Sequence, residues 1–304
     1  MKSNQNLLER LRLAAGSGEV VTEEPMSRHT TFRIGGPAAV FCMPQTVPQL
    51  ADTVKACVEA GVPYYILGNG SNVLVSDEGY EGVIIQLFRN MDGIRVNGTE
   101  LEVEAGALLV RMAHLAAKEG LTGLEFASGI PGTLGGALVM NAGAYGGEMK
   151  DVVKEAVVMK PDGEILRLKK DELELGYRTS VIAKKGYLVL SALLELEKGD
   201  KGAIEARMQE LKEARTSKQP LEYASAGSTF KRPEGYFAGK LIMDAGLRGY
   251  SVGGAQVSEK HCGFVINRGG ATARNVMDLV RHVQEEVKKQ FGVELEMEVK
   301  LLGF

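Results

Sequence analysis

Apolar residues return at helical spacing in five stretches of this chain and alternate with polar residues in several others. Leu7 to Ala15 reads as a short amphipathic helix. Pro48 to Ala60 places Leu50, Val54, Cys57 and Val58 on one face, with Thr46 or Val47 near its start, Pro48 in the first turn and Gly61 as its stop. Leu108–Lys118, ending at Gly120, and Ala203–Ala214 are further helices. Ala273–Gln290 is the longest, with Val276, Leu279, Val280, Val283 and Val287 on one stripe. Strands are predicted at Tyr64–Leu67, Val73–Val75, Glu100–Ala105 and Tyr187–Glu197. Ala156–Met159 and Glu164–Leu168 flank the turn sequence KPDG and form a hairpin. Strict alternation over Val293–Leu301 predicts a half-buried terminal strand. The result is a mixed chain of the α+β class.

The periodicity breaks where glycines gather. Glycine fills one position in eight, 38 of 304 residues, against a usual level of about 7%, and the excess sits in a few loops. Gly129 to Gly146 reads GIPGTLGGALVMNAGAYG, with six glycines and no charge. Glycine inside regular structure costs roughly 0.5–1 kcal/mol relative to alanine, so such a run marks backbone that bends sharply or closely approaches something. Gly129, Ile130, Pro131, Gly132, Gly135, Asn141, Gly143, Ala144 and Tyr145 are taken as the floor of a site for a planar or phosphorylated cofactor. A plain loop joining two strands would not need Asn141, Ala142 and Tyr145 interleaved. A second loop, Gly68-Asn69-Gly70-Ser71-Asn72, leaves a strand directly and suits phosphate. Neither loop is a dinucleotide fingerprint or a P-loop, because no third glycine with a crossover helix and no GK[ST] is present.

Composition narrows the classes. A net charge of −3 argues against nucleic acid, and the absence of tryptophan with only 6% aromatic residues argues against a base-stacking platform. The first residues carry Glu9, Arg10 and Arg12 within the apolar stripe and lack a signal-peptide core, and no apolar run reaches membrane-spanning length. Three cysteines and four histidines show no metal spacing, so no metal is expected, and the thiols read as reduced and buried in a cytoplasmic protein. No obligate protein partner is evident. The polar break KGDKG at 198–202 marks a domain boundary.

A second chemical signal is AGSTFKRP, from Ala226 to Pro233. Ser228-x-x-Lys231 matches an acylating-serine motif, but its companions S-D-N and K-T-G are missing. A polar loop with Ser228 capping a helix is the plain reading. A third is a proton donor beside the basic cluster Lys231, Arg232 and Lys240, facing an anionic substrate.

GNGSNVLV, SGIPGTLGGALVMNAGAYG, GYRTS at 176–180, AGSTFKRP and the terminal EMEV occur in one order from about His29 to the C-terminus. Together they resemble the UDP-N-acetylenolpyruvoylglucosamine reductase family, in its shorter form without an extra substrate-covering loop. The resemblance implies a two-part FAD-binding region of the vanillyl-alcohol-oxidase type, residues 31–200 with subdomains of about 31–95 and 96–200. A lead-in at 1–30 precedes it and a substrate domain at 201–304 follows, its terminal strand returning to the active site. It further implies FAD, held noncovalently since the GNGSN loop has neither His nor Cys, and NADPH as hydride donor. The substrate would be UDP-N-acetylglucosamine enolpyruvate, on the route to peptidoglycan. Arg178 matches the charge-stabilising arginine, Ser228 the proton donor and Glu298 the third catalytic position, although alternation alone would leave Glu298 on a solvated face. Lys218, Arg232, Lys240 and Arg248 are candidates for the uridine diphosphate, and Tyr177 either lines the pocket or packs. Another flavin oxidoreductase or oxidase of the same fold, and a nonenzymatic nucleotide-binding module, are the competing classes.

Overall fold

The computed structural model describes residues 2–304. Two compact units interleave along the chain: one comprises residues 1–22, 40–69 and 82–214, the other 23–39, 70–81 and 215–304.

The first unit is built on a five-stranded antiparallel sheet in the order Ile165–Lys169, Val153–Met159, Leu188–Glu195, Glu100–Glu104, Ile94–Asn97. Its outer strand shows the expected alternation, with Leu166 and Leu168 half-buried between exposed Ile165, Arg167 and Lys169. Leu188–Glu195, at the centre, reads as a nearly continuous apolar run. The predicted hairpin turns on Lys160–Gly163, with the Lys160 N–H bonded to the Glu164 carbonyl. In the same unit Tyr64–Leu67 pairs in parallel with residues 83–86. The helix Val47–Ala60 ends where the sequence placed its signals. The Thr46 side chain accepts the Gln49 N–H, Pro48 lies in the first turn, and Gly61 closes it at φ 64°.

The break at 198–202 holds a two-residue strand, Glu197–Lys198, and the start of the helix Lys201–Lys218. Ile204 and Met208 on that helix join the first core, so the unit runs on to Ala214. All three cysteines are buried free thiols. Burial pushes Cys42 up to about 12, reinforced by Cys57, and pushes Cys57 up to about 11, against a lowering pull from Arg10; both are inert at neutral pH.

The second unit has a four-stranded antiparallel sheet in the order Ala224–Ser225, Val265–Asn267, Ala255–Val257, Ser251–Val252. The helix Ala273–Phe291 packs its valine stripe into the core, where Val276, Leu279, Val280, Val283 and Val287 are fully buried. Each such side chain contributes roughly 1.5–3 kcal/mol. Thr272 caps this helix with a reciprocal bond to Asn275. The Asp77 carboxylate accepts the N–H groups of Ala273 (2.7 Å) and Arg274 (2.9 Å). A carboxylate there satisfies first-turn donors and complements the helix dipole, which ties residues 70–81 into the C-terminal unit.

The terminal segment differs from the expectation of a strand over Val293–Leu301. Its alternation is real: Leu295 and Val299 are buried while Glu294 and Glu296 are exposed. Ladder pairing is confined to Lys300–Leu302, which runs parallel to Val73–Val75. Upstream the neighbour is the loop Thr229–Lys231, which offers one bridge, Phe230 to Met297, and irregular main-chain bonds. Period two reports extended backbone with one buried side, and here Leu295 and Val299 join the second unit's core without a continuous ladder beside them.

Candidate active site

In the first unit the two glycine segments meet. The Asn69 side chain donates to the Pro131 carbonyl at 2.6 Å, and a Cβ at Gly68 would overlap the Thr133 hydroxyl. Gly135 donates its N–H to Ala105 and Gly132 accepts that of Leu109, which pins the start of the helix Leu134–Met140. Gly129 and Pro131 are exposed, with Ile130 half-buried between them. Beyond the helix, Gly143–Ala144 folds back on Gly147–Glu148. Tyr145 (φ 53°) and Gly146 (φ 89°) form the tip.

Asn141 closes that helix in the left-handed conformation, φ 43°. Its side chain is buried and spent within the protein. Nδ2 donates to Glu148 Oε2 (2.6 Å) and to the Gly176 carbonyl (3.1 Å), and Oδ1 accepts the Lys150 N–H (2.9 Å). The Asn141 amide is thus engaged within the protein, where it grips the arginine turn. Gly176 and Thr179 exchange main-chain bonds of 3.1 and 3.3 Å, which leaves Tyr177 and Arg178 at the tip. Ser180, fully buried, donates to the Val139 carbonyl (2.8 Å) and accepts the Ala183 N–H (3.1 Å), fastening the other side of the turn. Arg178 is half-buried at φ 54°, a conformation a non-glycine residue keeps only under constraint. Its guanidinium lies 5.3 Å from the Tyr177 ring centre.

Residues 70–72 of the second glycine loop belong to the second unit. Gly70 is buried at φ 61°, and a Cβ there would overlap the His29 carbonyl oxygen. Among the described residues, the N–H groups of Asn69, Gly70, Ser71 and Asn72 meet no acceptor of the protein. Within the second unit, consecutive free donors on Gly70, Ser71 and Asn72, one of them on a buried glycine, are the kind of backbone that suits an anion. Gly70 accepts the Thr31 N–H (3.1 Å), and the Thr31 hydroxyl donates to the Ser225 carbonyl (2.6 Å).

Three residues beyond Ser225 lies Ser228, exposed, preceded by Gly227 at φ 78° with open space about it. It caps no helix. The Glu298 N–H bonds to the Thr229 carbonyl at 2.9 Å, and the Glu298 carbonyl accepts the Asn72 side-chain amide at 3.2 Å. Both peptide groups of Glu298 are thus committed, to the residue beside Ser228 and to the phosphate loop. Glu298 is half-buried, unlike Glu294 and Glu296 on the same face, so burial separates it where alternation did not. Lys231 forms an ion pair with Glu296.

The four basic candidates are all exposed members of the second unit. Lys218 ends its helix, and Arg232 stacks 4.0 Å from the Phe237 ring centre. Lys240 pairs with Asp244 at 2.8 Å, and Arg248 donates to the Met243 sulfur at 3.1 Å. Sequence reasoning missed Thr31, Ser180 and Thr229, polar residues in loops with no periodic signature.

His261 belongs to the second unit, its Nδ1 accepting the Gly263 N–H at 3.1 Å. Burial lowers its pKa below 6.5, partly offset by a main-chain hydrogen bond. The folded state therefore binds its proton less well than the unfolded state. Stability from the neutral ring is complete above 6.5 and is lost as pH falls through that value toward the lower folded pKa. Denaturant titrations of His261→Asn between about pH 5 and pH 7 should show a shallower loss of stability than the parent.

Comparison with known proteins places these features. Residues 37–169 match an FAD binding domain. Residues 219–302 match the C-terminal domain of UDP-N-acetylenolpyruvoylglucosamine reductase. The reductase of Clostridium botulinum (strain Alaska E43 / Type E3) is 56% identical over 278 residues, 91% of each chain. The chain belongs to the UDP-N-acetylenolpyruvoylglucosamine reductase family. Within it, the Clostridioides difficile (strain 630) reductase is 50% identical over 99% of both chains. The crystal structure of the Thermus caldophilus reductase superimposes with TM-score 0.80 at 37% identity, covering 94% of this chain and 98% of that one. Berberine bridge enzyme, at 14% identity and TM-score 0.50 over 65% of this chain, shares the fold alone. The fold is thus an FAD-binding region of the vanillyl-alcohol-oxidase type with a reductase C-terminal domain, as the resemblance implied. The residues present fit FAD: in the second unit the free loop amides of Gly70, Ser71 and Asn72 suit a diphosphate, and in the first the glycine segment beside Asn69 exposes its main chain.

Proposed function

We propose that this chain reduces UDP-N-acetylglucosamine enolpyruvate to UDP-N-acetylmuramate with NADPH, as a cytoplasmic step in peptidoglycan precursor synthesis. The observation that carries this reading is the near-full-length likeness to relatives named for that reductase. Bound noncovalently, FAD would take hydride from NADPH and pass it to the enolpyruvyl methylene carbon.

The protein's own work is to meet what that transfer creates. Negative charge develops on the adjacent carbon and its carboxylate. Arg178, permanently cationic and held on its turn by Asn141 and Ser180, offers two parallel donors to that carboxylate. Ser228, exposed next to an open glycine, gives its hydroxyl proton to the carbon. A serine hydroxyl is a weak acid, and Lys231, Arg232 and Lys240 lie near it in sequence to ease that loss. Glu298 acts beside Ser228, its peptide bonded to Thr229.

Lys218, Arg232, Lys240 and Arg248 hold the uridine diphosphate. The Lys240–Asp244 pair is exposed, worth at most about 1 kcal/mol, and a phosphate displaces it readily. Gly68–Asn72 take the FAD diphosphate, and Gly129, Ile130, Pro131, Gly132, Gly135, Gly143, Ala144 and Tyr145 line the ring system. Mass analysis of a reaction with NADPH tests the assignment. Conversion of the enolpyruvyl sugar nucleotide to a species heavier by two hydrogens supports it, and unchanged substrate contradicts it.

A further inference from the structure

Thr229 is a buried threonine in an irregular loop, with 1% of its surface exposed, and its N–H, its carbonyl and its hydroxyl oxygen each have a partner. Its N–H donates to the Gly263 carbonyl at 2.8 Å, and its carbonyl accepts the Glu298 N–H at 2.9 Å. Its hydroxyl oxygen accepts the N–H of Val265 at 2.9 Å, in a buried setting. One residue thus fastens the Ser228 peptide to the terminal segment and to the strand Val265–Asn267. On its other side Ser228 follows Gly227, a left-handed glycine with no atom within 4 Å of a built Cβ. Ser228 is exposed and is held from one side.

We propose that Thr229 is the positioning residue for proton delivery, fixing Ser228 and Glu298 in one register through these three hydrogen bonds. The proposal rests on the reading of Ser228 as proton donor. Its physical core is the Oγ1 bond. Valine has the same shape without the oxygen, so Thr229→Val strands the buried Val265 N–H, and the loop relaxes to find that donor a partner. Thr229→Ser keeps the oxygen and gives up the branching methyl with the stiff rotamer that it enforces. Displacing a reacting group by about 1 Å costs on the order of 10²-fold. The penalty falls on the step that uses Ser228 and spares the one that does not.

The test uses FAD-loaded enzyme under anaerobic conditions and follows the flavin through each half-reaction. Thr229→Val should be reduced by NADPH within about twofold of the parent rate, and its reoxidation by saturating enolpyruvyl sugar nucleotide should slow about 30- to 100-fold. The half-saturating substrate concentration should stay within about threefold, and the solvent deuterium isotope effect on reoxidation should rise as proton transfer becomes limiting. Thr229→Ser should recover to within about threefold of the parent. Should the valine variant fail to retain flavin, Thr229→Cys, with a weaker acceptor of similar size, should slow reoxidation alone and by a smaller factor.

Reoxidation of the tested valine or cysteine variant at the parent rate would overturn the proposal, as would equal slowing of both half-reactions or a serine variant as slow as valine. Ser228→Ala, run alongside, separates this from the reading beneath it. If that variant reoxidises at the parent rate, the proton donor is misassigned and both fall together.

Discussion

Ser228→Ala is expected to bleach with NADPH at close to the parent rate and then to regain its colour 10²–10⁴-fold more slowly with the enolpyruvyl sugar nucleotide, the range that general acid catalysis supplies. The split follows from where the proton is needed. Flavin reduction by NADPH makes no carbanion, so a missing hydroxyl does not touch it. Reoxidation leaves charge beside the substrate carboxylate, and without the hydroxyl a proton must come from water. Because Ser228 is exposed and caps nothing, its loss should leave the thermal midpoint close to the parent's. Stopped-flow absorbance of the two steps, with the melting curve as control, checks both halves. Equal slowing of the two steps would remove the assigned role.

Arg178→Ala should show the same asymmetry at about 10²–10³-fold, equivalent to about 2.7–4 kcal/mol of barrier by comparison with the loss of an oxyanion donor. Arg178→Lys should recover little of it. An ammonium is a point charge, whereas guanidinium meets a carboxylate with two parallel N–H groups. The turn that carries Arg178 is tied down independently of its side chain. The Asn141 amide on the Gly176 carbonyl and the Ser180 hydroxyl on the Val139 carbonyl both survive the substitution. Alanine and lysine variants should therefore retain FAD like the parent, and single-turnover reoxidation should carry the whole effect.

Local chemistry was the most legible part of the sequence. Thr46, Pro48 and Gly61 bound their helix because each acts within its own turn, Thr46 through its hydroxyl and Pro48 and Gly61 through their backbone, and the hairpin at 160–163 follows from its turn residues. The interleaving of the two units was not legible. Residues 70–81 join the C-terminal unit through contacts such as Asp77 on the helix start at Ala273, 196 positions away, and no local pattern encodes those. Glu298 shows the limit most clearly. Alternation sorted it with Glu294 and Glu296 as surface charge, and only the family resemblance marked it out. The structure separates it from those two by burial, and its peptide is bonded to Asn72 and Thr229, in two distant loops. Asn141 shows the converse: its place in the glycine run suggested a ligand contact, while its buried side chain is consumed in holding the arginine turn.

In the proposed reaction one flavin would be reduced by NADPH and then reoxidised by an enolpyruvyl sugar nucleotide. An anaerobic flavin spectrum tests it most directly, recorded on the purified protein, then after NADPH, then after UDP-N-acetylglucosamine enolpyruvate. The purified protein should be yellow, bleach with NADPH and regain its oxidised spectrum when the sugar nucleotide is added. A flavin that bleaches and recovers with oxygen alone would contradict that reaction, and a colourless protein that takes up no FAD would contradict it at the first step.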